Sequence, residues 1–224
     1  MFGFADTIFI SSGVVNFMKS LELGRVEIFG AFEADLPQGE EYLSIGFSPT
    51  TEQLKKRWEN NGLSADFIAD YFRIFYVSKK STPAGEESAE EEFLIENLRE
   101  GVKYVANELL ENAMKFQDKH TSFTAHIVFS LYHDQLIFMV SNGATYSQAE
   151  KYRAFVQKIV SVEDPGEMYF DALQNSANHE NSGHSGLGLL SMISDYSASL
   201  GWRFEYPESA KPNVIITTQV RLLT

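Results

Sequence analysis

Three polar residues, Glu108, Asn112 and Lys115, recur at helical spacing within NELLENAMKF, residues 107–116. Their types fit phosphate and metal chemistry. An amide oxygen can ligate a hard cation, a carboxylate can take a proton, and an ammonium can neutralise phosphate charge. A second feature lies about 70 residues further on, where GHSGLGL occupies residues 183–189 and leads into an apolar helix start. Glycines permit positive φ and close backbone approach, and a helix N-terminus offers anions its free N–H groups and a favourable dipole. The loop is not a Walker loop, because GK[ST] is missing, and not a dinucleotide fingerprint, because no strand precedes it.

The element that carries the first group is a helix running from about Glu90 to Phe116. With each residue turning about 100°, Leu94, Leu98, Val102, Val105, Leu109 and Phe116 fall within an arc of roughly 80° and predict a core stripe. Asn112 falls inside that arc, about 20° from Val105, with Glu108 and Lys115 about 60° and 80° from it. A buried amide needs partners, and a buried carboxylate needs a counter-charge or a raised pKa. One such residue would be a strand cap or a solvated ion pair. Three in file, followed by a glycine loop, point to a site.

The remaining elements follow from periodicity and punctuation. RVEIFGAFE and EYLSIGF predict strands, FSPTTEQLKKRWENNG a capped helix ended by Gly62, and SADFIADYFRIFY a second helix opened by Ser64. KKSTPAGEESAEEE, residues 79–92, combines Pro83, Gly85 and a glutamate run and predicts a linker. Beyond it, SFTAHIVFSLY and LIFMVSN alternate as strands joined by a hairpin at His133-Asp134. SQAEKYRAFVQKIVS predicts a helix capped by Ser147, and DPGEMYFDALQNSANHENSG a turn passing into a polar loop. A short helix follows the glycine loop, and SLGWRFEYPE and NVIITTQVRLL close the chain as strands. The organisation read from this is an N-terminal α/β extension over 1–78, the acidic linker over 79–92, and a domain over 93–224.

Composition narrows the ligand classes. The chain has 224 residues and a net charge of −13, which disfavours nucleic acid, since such binders draw most of their affinity from a basic surface. The one basic cluster, Lys55-Lys56-Arg57, reads as a solvated helix face. No segment approaches 18 uninterrupted apolar residues, so no membrane span is expected. MFGFADTIFISSGVVNF lacks a basic leader and contains Asp6, so it reads as core rather than as a signal peptide. With no cysteine there are no disulfides or thiolate metal sites, and a cytoplasmic address is expected. His179 and His184 read as polar loop residues.

The pairing of NELLENAMKF with GHSGLGL, two strands and an irregular segment apart, resembles the GHKL (Bergerat-fold) ATPase and kinase superfamily of gyrases, histidine kinases, MutL proteins and anti-sigma-factor serine kinases. The resemblance spans roughly residues 93–224 and implies an α/β (α+β) two-layer sandwich of the histidine-kinase-like ATPase fold. The E-x-x-x-N form looks most like the anti-sigma kinase and gyrase branches. YLSIGFSPTTEQLKKRWENNGLSADF also resembles bacterial, notably cyanobacterial, regulators of the SiaB type that are paired with STAS-type partners. The resemblance implies ATP and Mg²⁺ as cofactors. Asn112 would hold Mg²⁺, Glu108 would be the general base, and Lys115 would neutralise phosphate charge. Gly183, Ser185, Gly186, Leu187 and Gly188 would wrap the phosphates, and residues 145–182 would form a mobile ATP lid.

At the strand end where the family reads adenine with D-x-G-x-G, this chain has VSNGAT, so Asn142 and Gly143 stand at that position. Asn142 could accept from the adenine amino group, while a turn after a strand explains Asn142-Gly143 equally well. No Lys or Arg occurs between Lys158 and Arg203, so the distal lid brings no arginine finger and a slow regulatory enzyme is favoured. The helix before the nucleotide motifs contains no phospho-accepting histidine. The expected function is an ATP-dependent serine/threonine protein kinase of the anti-sigma type acting on a STAS-like regulator. The alternative is a catalytically inactive, nucleotide-gated binding switch. Related kinases often dimerise, so a homodimer is open, and the first 90 residues could supply that interface or cover a sheet edge.

Overall fold

The computed structural model describes residues 23–36, 41–47, 54–80, 89–118, 120–121, 123–178, 186–208 and 214–224. The expected core role of residues 1–17, the distal linker around Pro83 and Gly85, and His179 and His184 lie outside them. Six strands form one antiparallel sheet: β1 (Leu23–Gly30), β2 (Glu41–Phe47), β3 (Ala125–Leu131), β4 (Gln135–Ala144), β5 (Ser199–Pro207) and β6 (Val214–Leu223), in the order β1-β5-β6-β4-β3-β2. Among the described residues there are five helices: α1 (Leu54–Lys80), α2 (Ala89–Phe116), α3 (Tyr146–Ser161), α4 (Pro165–Asn178) and α5 (Leu187–Tyr196).

Alternation explains the two layers. Leu136, Phe138, Val140 and Ala144 of β4 and Val214, Ile216, Val220 and Leu222 of β6 enter one core with residues of α1, α2, α3 and α5. On the other side of the sheet, Ser141 and Thr217 share a hydrogen bond of 2.8 Å. There Gln219 accepts from the Glu33 N–H at 2.9 Å and donates to the Glu33 carbonyl at 3.1 Å. The result is an α+β sandwich. The expected N-terminal strands take both sheet edges, β1 beside β5 and β2 beside β3. Helix α1 lies on α2, tied by Lys103 to Asp66 at 2.6 Å and Arg99 to Asp70 at 2.8 Å. Residues on either side of the acidic segment therefore share one sheet and one core.

Several boundaries differ from the sequence reading. Helix α1 is continuous through Gly62, so Gly62 does not end a helix and Ser64 does not open one. A mid-helix glycine costs about 1 kcal/mol, which the complete burial of Ala65, Ile68, Ala69 and Phe72 outweighs. Helix α3 is capped by Thr145, not Ser147. The Thr145 side chain accepts from Gln148 N–H while the Gln148 side chain accepts from Thr145 N–H, a capping box. Residues 165–178, expected as turn and loop, form α4. Asp164 Oδ1 accepts from Gly166 N–H at 2.8 Å, and Pro165 fills the first helical position, where its missing N–H is no loss.

The stripe on α2 is also displaced. Leu94 is 61% exposed, while Ile95, Val102, Val105, Ala106, Leu109, Leu110 and Ala113 are buried. The helix packs against both the sheet and α1, which rotates its buried face by about 50° from the expected arc. Asn112 consequently sits at the margin of that face, half-buried, rather than inside it.

Candidate functional site

The C-terminal half of α2, the start of α3 and the start of α5 converge on a pocket of about 380 Å³. Its walls are Asn112, Lys115 and Phe116 from α2, Gln148, Lys151, Tyr152 and Phe155 from α3, and Gly186 and Leu189 from the α5 entry. The two charged lining residues are both lysines, in a chain that carries −13 overall. The floor is aromatic: Phe116 and Tyr152 stack with centroids 5.1 Å apart, and Phe155 lies beside Tyr152 at 6.4 Å.

Side-chain hydrogen bonds tie these elements to the sheet and to one another. Tyr152, buried at the base, accepts from Trp202 Nε1 at 3.0 Å and lies 3.4 Å from Thr218 Oγ1. This anchors α3 to β5 and β6. Residues 146–161 are thus a packed helix with Ala149, Tyr152, Val156 and Ile159 buried, which corrects the expectation that a mobile lid begins at 145. Helix α5 is fixed to α2 by Tyr104, whose hydroxyl donates to Ser191 Oγ at 3.0 Å, and Ser191 in turn donates to Asp195 at 2.8 Å. Tyr104 also stacks on Tyr196 at 5.1 Å.

The entry to α5 needs its glycines. Gly186 has φ +63° and serves as N-cap, and a Cβ there would stand 2.1 Å from Phe155 Cζ. A Cβ on Gly188 would stand 1.8 Å from Glu108 Oε2. The first turn of α5 thus packs directly on the Glu108 carboxylate, one helical turn from Asn112. Burial pushes the Glu108 carboxyl above its ordinary pKa, Glu111 adds to the rise, and Lys115 opposes it. The Lys115 ammonium lies 5.9 Å from the centre of the Phe116 ring.

Of the residues expected from sequence, Asn112, Lys115 and Gly186 line this pocket, whereas Glu108, Leu187 and Gly188 are not among its lining residues and Glu108 instead contacts Gly188. Gly183 and Ser185 lie outside the described residues. Asn142 and Gly143 are not part of the lining. Asn142 is 6% exposed within β4, and its Nδ2 has no hydrogen-bond partner. The Gly143 peptide is clamped to the end of α2, donating to Gln117 Oε1 at 2.9 Å and accepting from Asp118 N–H at 2.7 Å. Gln148, Lys151, Tyr152 and Phe155 were not anticipated. Their spacing along α3 sets them on one face, and the Thr145–Gln148 capping box marks where that face begins.

The donor set fits a Mg²⁺ carried in by phosphates rather than a free-standing metal site. Among the described residues no three His, Cys, Asp or Glu side chains group together. One amide oxygen beside a carboxylate is nevertheless sufficient for an ion whose other ligands are phosphate oxygens and water. Chemically, the pocket offers two cations and a helix N-terminus to an anion, and an aromatic floor to a flat ring. Neither protein-family models nor curated proteins give a match for this chain.

Proposed function

We propose that this pocket binds ATP with Mg²⁺ and that the chain is a bacterial signalling regulator, a serine/threonine protein kinase of the anti-sigma type that phosphorylates a STAS-like partner. The observation that carries the reading is that Asn112, Lys115 and Gly186, about 70 residues apart in sequence, line one pocket whose charged residues are lysines. Phosphoryl transfer needs positioning and cationic stabilisation more than covalent chemistry. Lys115 and Lys151 neutralise phosphate oxygens, and the Gly186–Gly188 entry presents backbone N–H groups to them. Asn112 would hold Mg²⁺, which would supply positive charge against that developing on the phosphates. Glu108 takes the proton of the attacking hydroxyl as the new O–P bond forms and the bond to the β-phosphate oxygen breaks. Burial raises its pKa, and a carboxylate with a raised pKa is the stronger base.

A second reading, a nucleotide-gated binding switch without transfer, is favoured by Asn142, which is buried in β4 and outside the pocket lining. The separating experiment incubates the protein with γ-labelled ATP, Mg²⁺ and a STAS-domain protein encoded beside it, with Asn112→Ala as control. Label on a partner Ser or Thr with the wild type alone supports the kinase. Binding without transfer leaves the switch, and no binding of ATP removes both.

A further inference from the structure

The Thr145–Gln148 capping box fixes which end of the Gln148 amide a ligand meets. Gln148 Oε1 accepts from the Thr145 N–H at 2.9 Å and from the Thr145 hydroxyl at 2.8 Å. A backbone N–H can only donate, so the amide oxygen faces Thr145 and the amide nitrogen, Nε2, faces away. Two donors also fill both lone pairs of that oxygen. Gln148 lines the pocket on the same face of α3 as Lys151, Tyr152 and Phe155. What it has left to offer a ligand is a donor. The other lining side chains lead to the same result. The Tyr152 hydroxyl accepts from Trp202 Nε1 at 3.0 Å and lies 3.4 Å from Thr218 Oγ1, so it is engaged on the sheet side. Lys115 and Lys151 can only donate. Among the described lining residues there is no Asp or Glu, and Asn142 is buried in β4 outside the lining. Asn112 alone keeps a side-chain oxygen, which the proposed function assigns to Mg²⁺.

We infer that Gln148 is the base-reading residue of this pocket, that its Nε2 donates to N7 of a purine, and that the 6-amino group of adenine has no side-chain partner. The pocket then takes 6-amino- and 6-oxopurine nucleoside triphosphates alike. This inference rests on the reading of the pocket as a Mg²⁺–nucleotide site and adds how the base is chosen. A free amide recognises adenine with both ends, its oxygen taking the 6-amino group and its nitrogen donating to N7. Here Thr145 holds the oxygen, so only the nitrogen half of that pairing remains. N7 is common to adenine and hypoxanthine, and hypoxanthine places a second acceptor, O6, beside it. The aromatic floor of Phe116 and Tyr152 offers a face to either ring without telling them apart, since every base has a π-face.

Titration calorimetry of the full chain with ATP, ITP and 7-deaza-ATP, each with Mg²⁺, tests this. Wild-type affinities for ATP and ITP should agree within about threefold, and 7-deaza-ATP, which lacks the acceptor, should bind about fivefold more weakly. Gln148→Glu is the decisive variant. A glutamate serves a capping box as a glutamine does, so the circular dichroism spectrum and melting temperature should not change. Its second oxygen accepts where Nε2 donated, so it should bind ATP about tenfold more tightly than ITP, whose O6 it repels. The added negative charge weakens both triphosphates and cancels in that ratio. A wild type that prefers ATP over ITP by more than about tenfold, undiminished binding of 7-deaza-ATP, or a ratio that Gln148→Glu leaves unchanged would each overturn the inference while the proposed function stands. Binding of none of the three nucleotides would overturn both.

Discussion

Glu108 and Gly188 are in direct contact: a Cβ on Gly188 would lie 1.8 Å from Glu108 Oε2 and 2.7 Å from its Cδ. Helix α5 can approach α2 this closely only with a glycine at its second position. Gly188→Ala must push the carboxylate aside. Because that carboxylate is the free end of a flexible side chain, the cost to stability is moderate, about 1 kcal/mol. Under the proposed function the loss of phosphoryl transfer should be larger, on the order of a hundredfold, because the carboxylate proposed as base leaves its position. A double-mutant cycle with Glu108→Ala, read by urea denaturation, checks the contact itself: Gly188→Ala should become nearly neutral in that background. Strict additivity would show that the two residues do not interact.

The same carboxylate makes stability pH-dependent in a definite direction. Burial raises the Glu108 pKa in the folded protein, so the native state holds its proton to higher pH than the unfolded state does. Stability from this group therefore falls as pH climbs from the unfolded value through the folded one. Below the unfolded value, where both states are protonated, the penalty is absent. Glu108→Gln stays neutral throughout. Its melting temperature should exceed that of the wild type by a few degrees at neutral pH and coincide with it in the acidic range below ordinary carboxylate titration. A difference that is flat with pH would contradict the desolvation account.

Gly186 differs from Gly188 in what opposes a side chain there. Its φ of +63° disfavours any L-residue, and the obstructing atom is the Phe155 ring, 2.1 Å from the Cβ position. The backbone term is about 1–2 kcal/mol, and the ring clash adds to it. In thermal melts, Gly186→Ala should cost more than Gly188→Ala, and Phe155→Ala should relieve only part of that cost. Complete relief would mean that the left-handed backbone carries no strain.

The candidate pocket is legible in sequence where one helix or one loop carries the signal, as for Asn112, Lys115 and Gly186. Glu108, Asn112 and Lys115 share a helix, so a 100° rotation was enough to group them, and Gly186 announced the start of α5. What escaped was set by tertiary neighbours. Nothing local reveals that α2 packs on α1 as well as on the sheet, which turns its buried face and leaves Leu94 exposed. Gly62 reads as a stop until the packing of Ala65, Ile68 and Phe72 is known. Lys151 shows no motif, and only the approach of α3 to α2 makes it a pocket residue. The two-layer sheet architecture, by contrast, follows from alternation in β3–β6, where the core-facing positions are apolar except at Asn142 and Thr218.

Tyr152 shows how the pocket floor depends on a group that never faces the pocket. Its hydroxyl accepts from Trp202 Nε1 at 3.0 Å and contacts Thr218 Oγ1 at 3.4 Å, all three residues being buried. Tyr152→Phe keeps the ring that stacks on Phe116 but leaves the indole N–H without an acceptor in a region closed to water. An unsatisfied buried donor costs about 1–3 kcal/mol, so the urea midpoint should fall correspondingly. The ring that forms the floor remains, so ligand affinity should change by less than about threefold, a difference under 1 kcal/mol. Trp202, 1% exposed, supplies the readout: its emission should shift as its hydrogen bond is lost while the far-ultraviolet circular dichroism stays constant. Wild-type stability in Tyr152→Phe would show that the Trp202–Tyr152 bond does not hold α3 to the sheet.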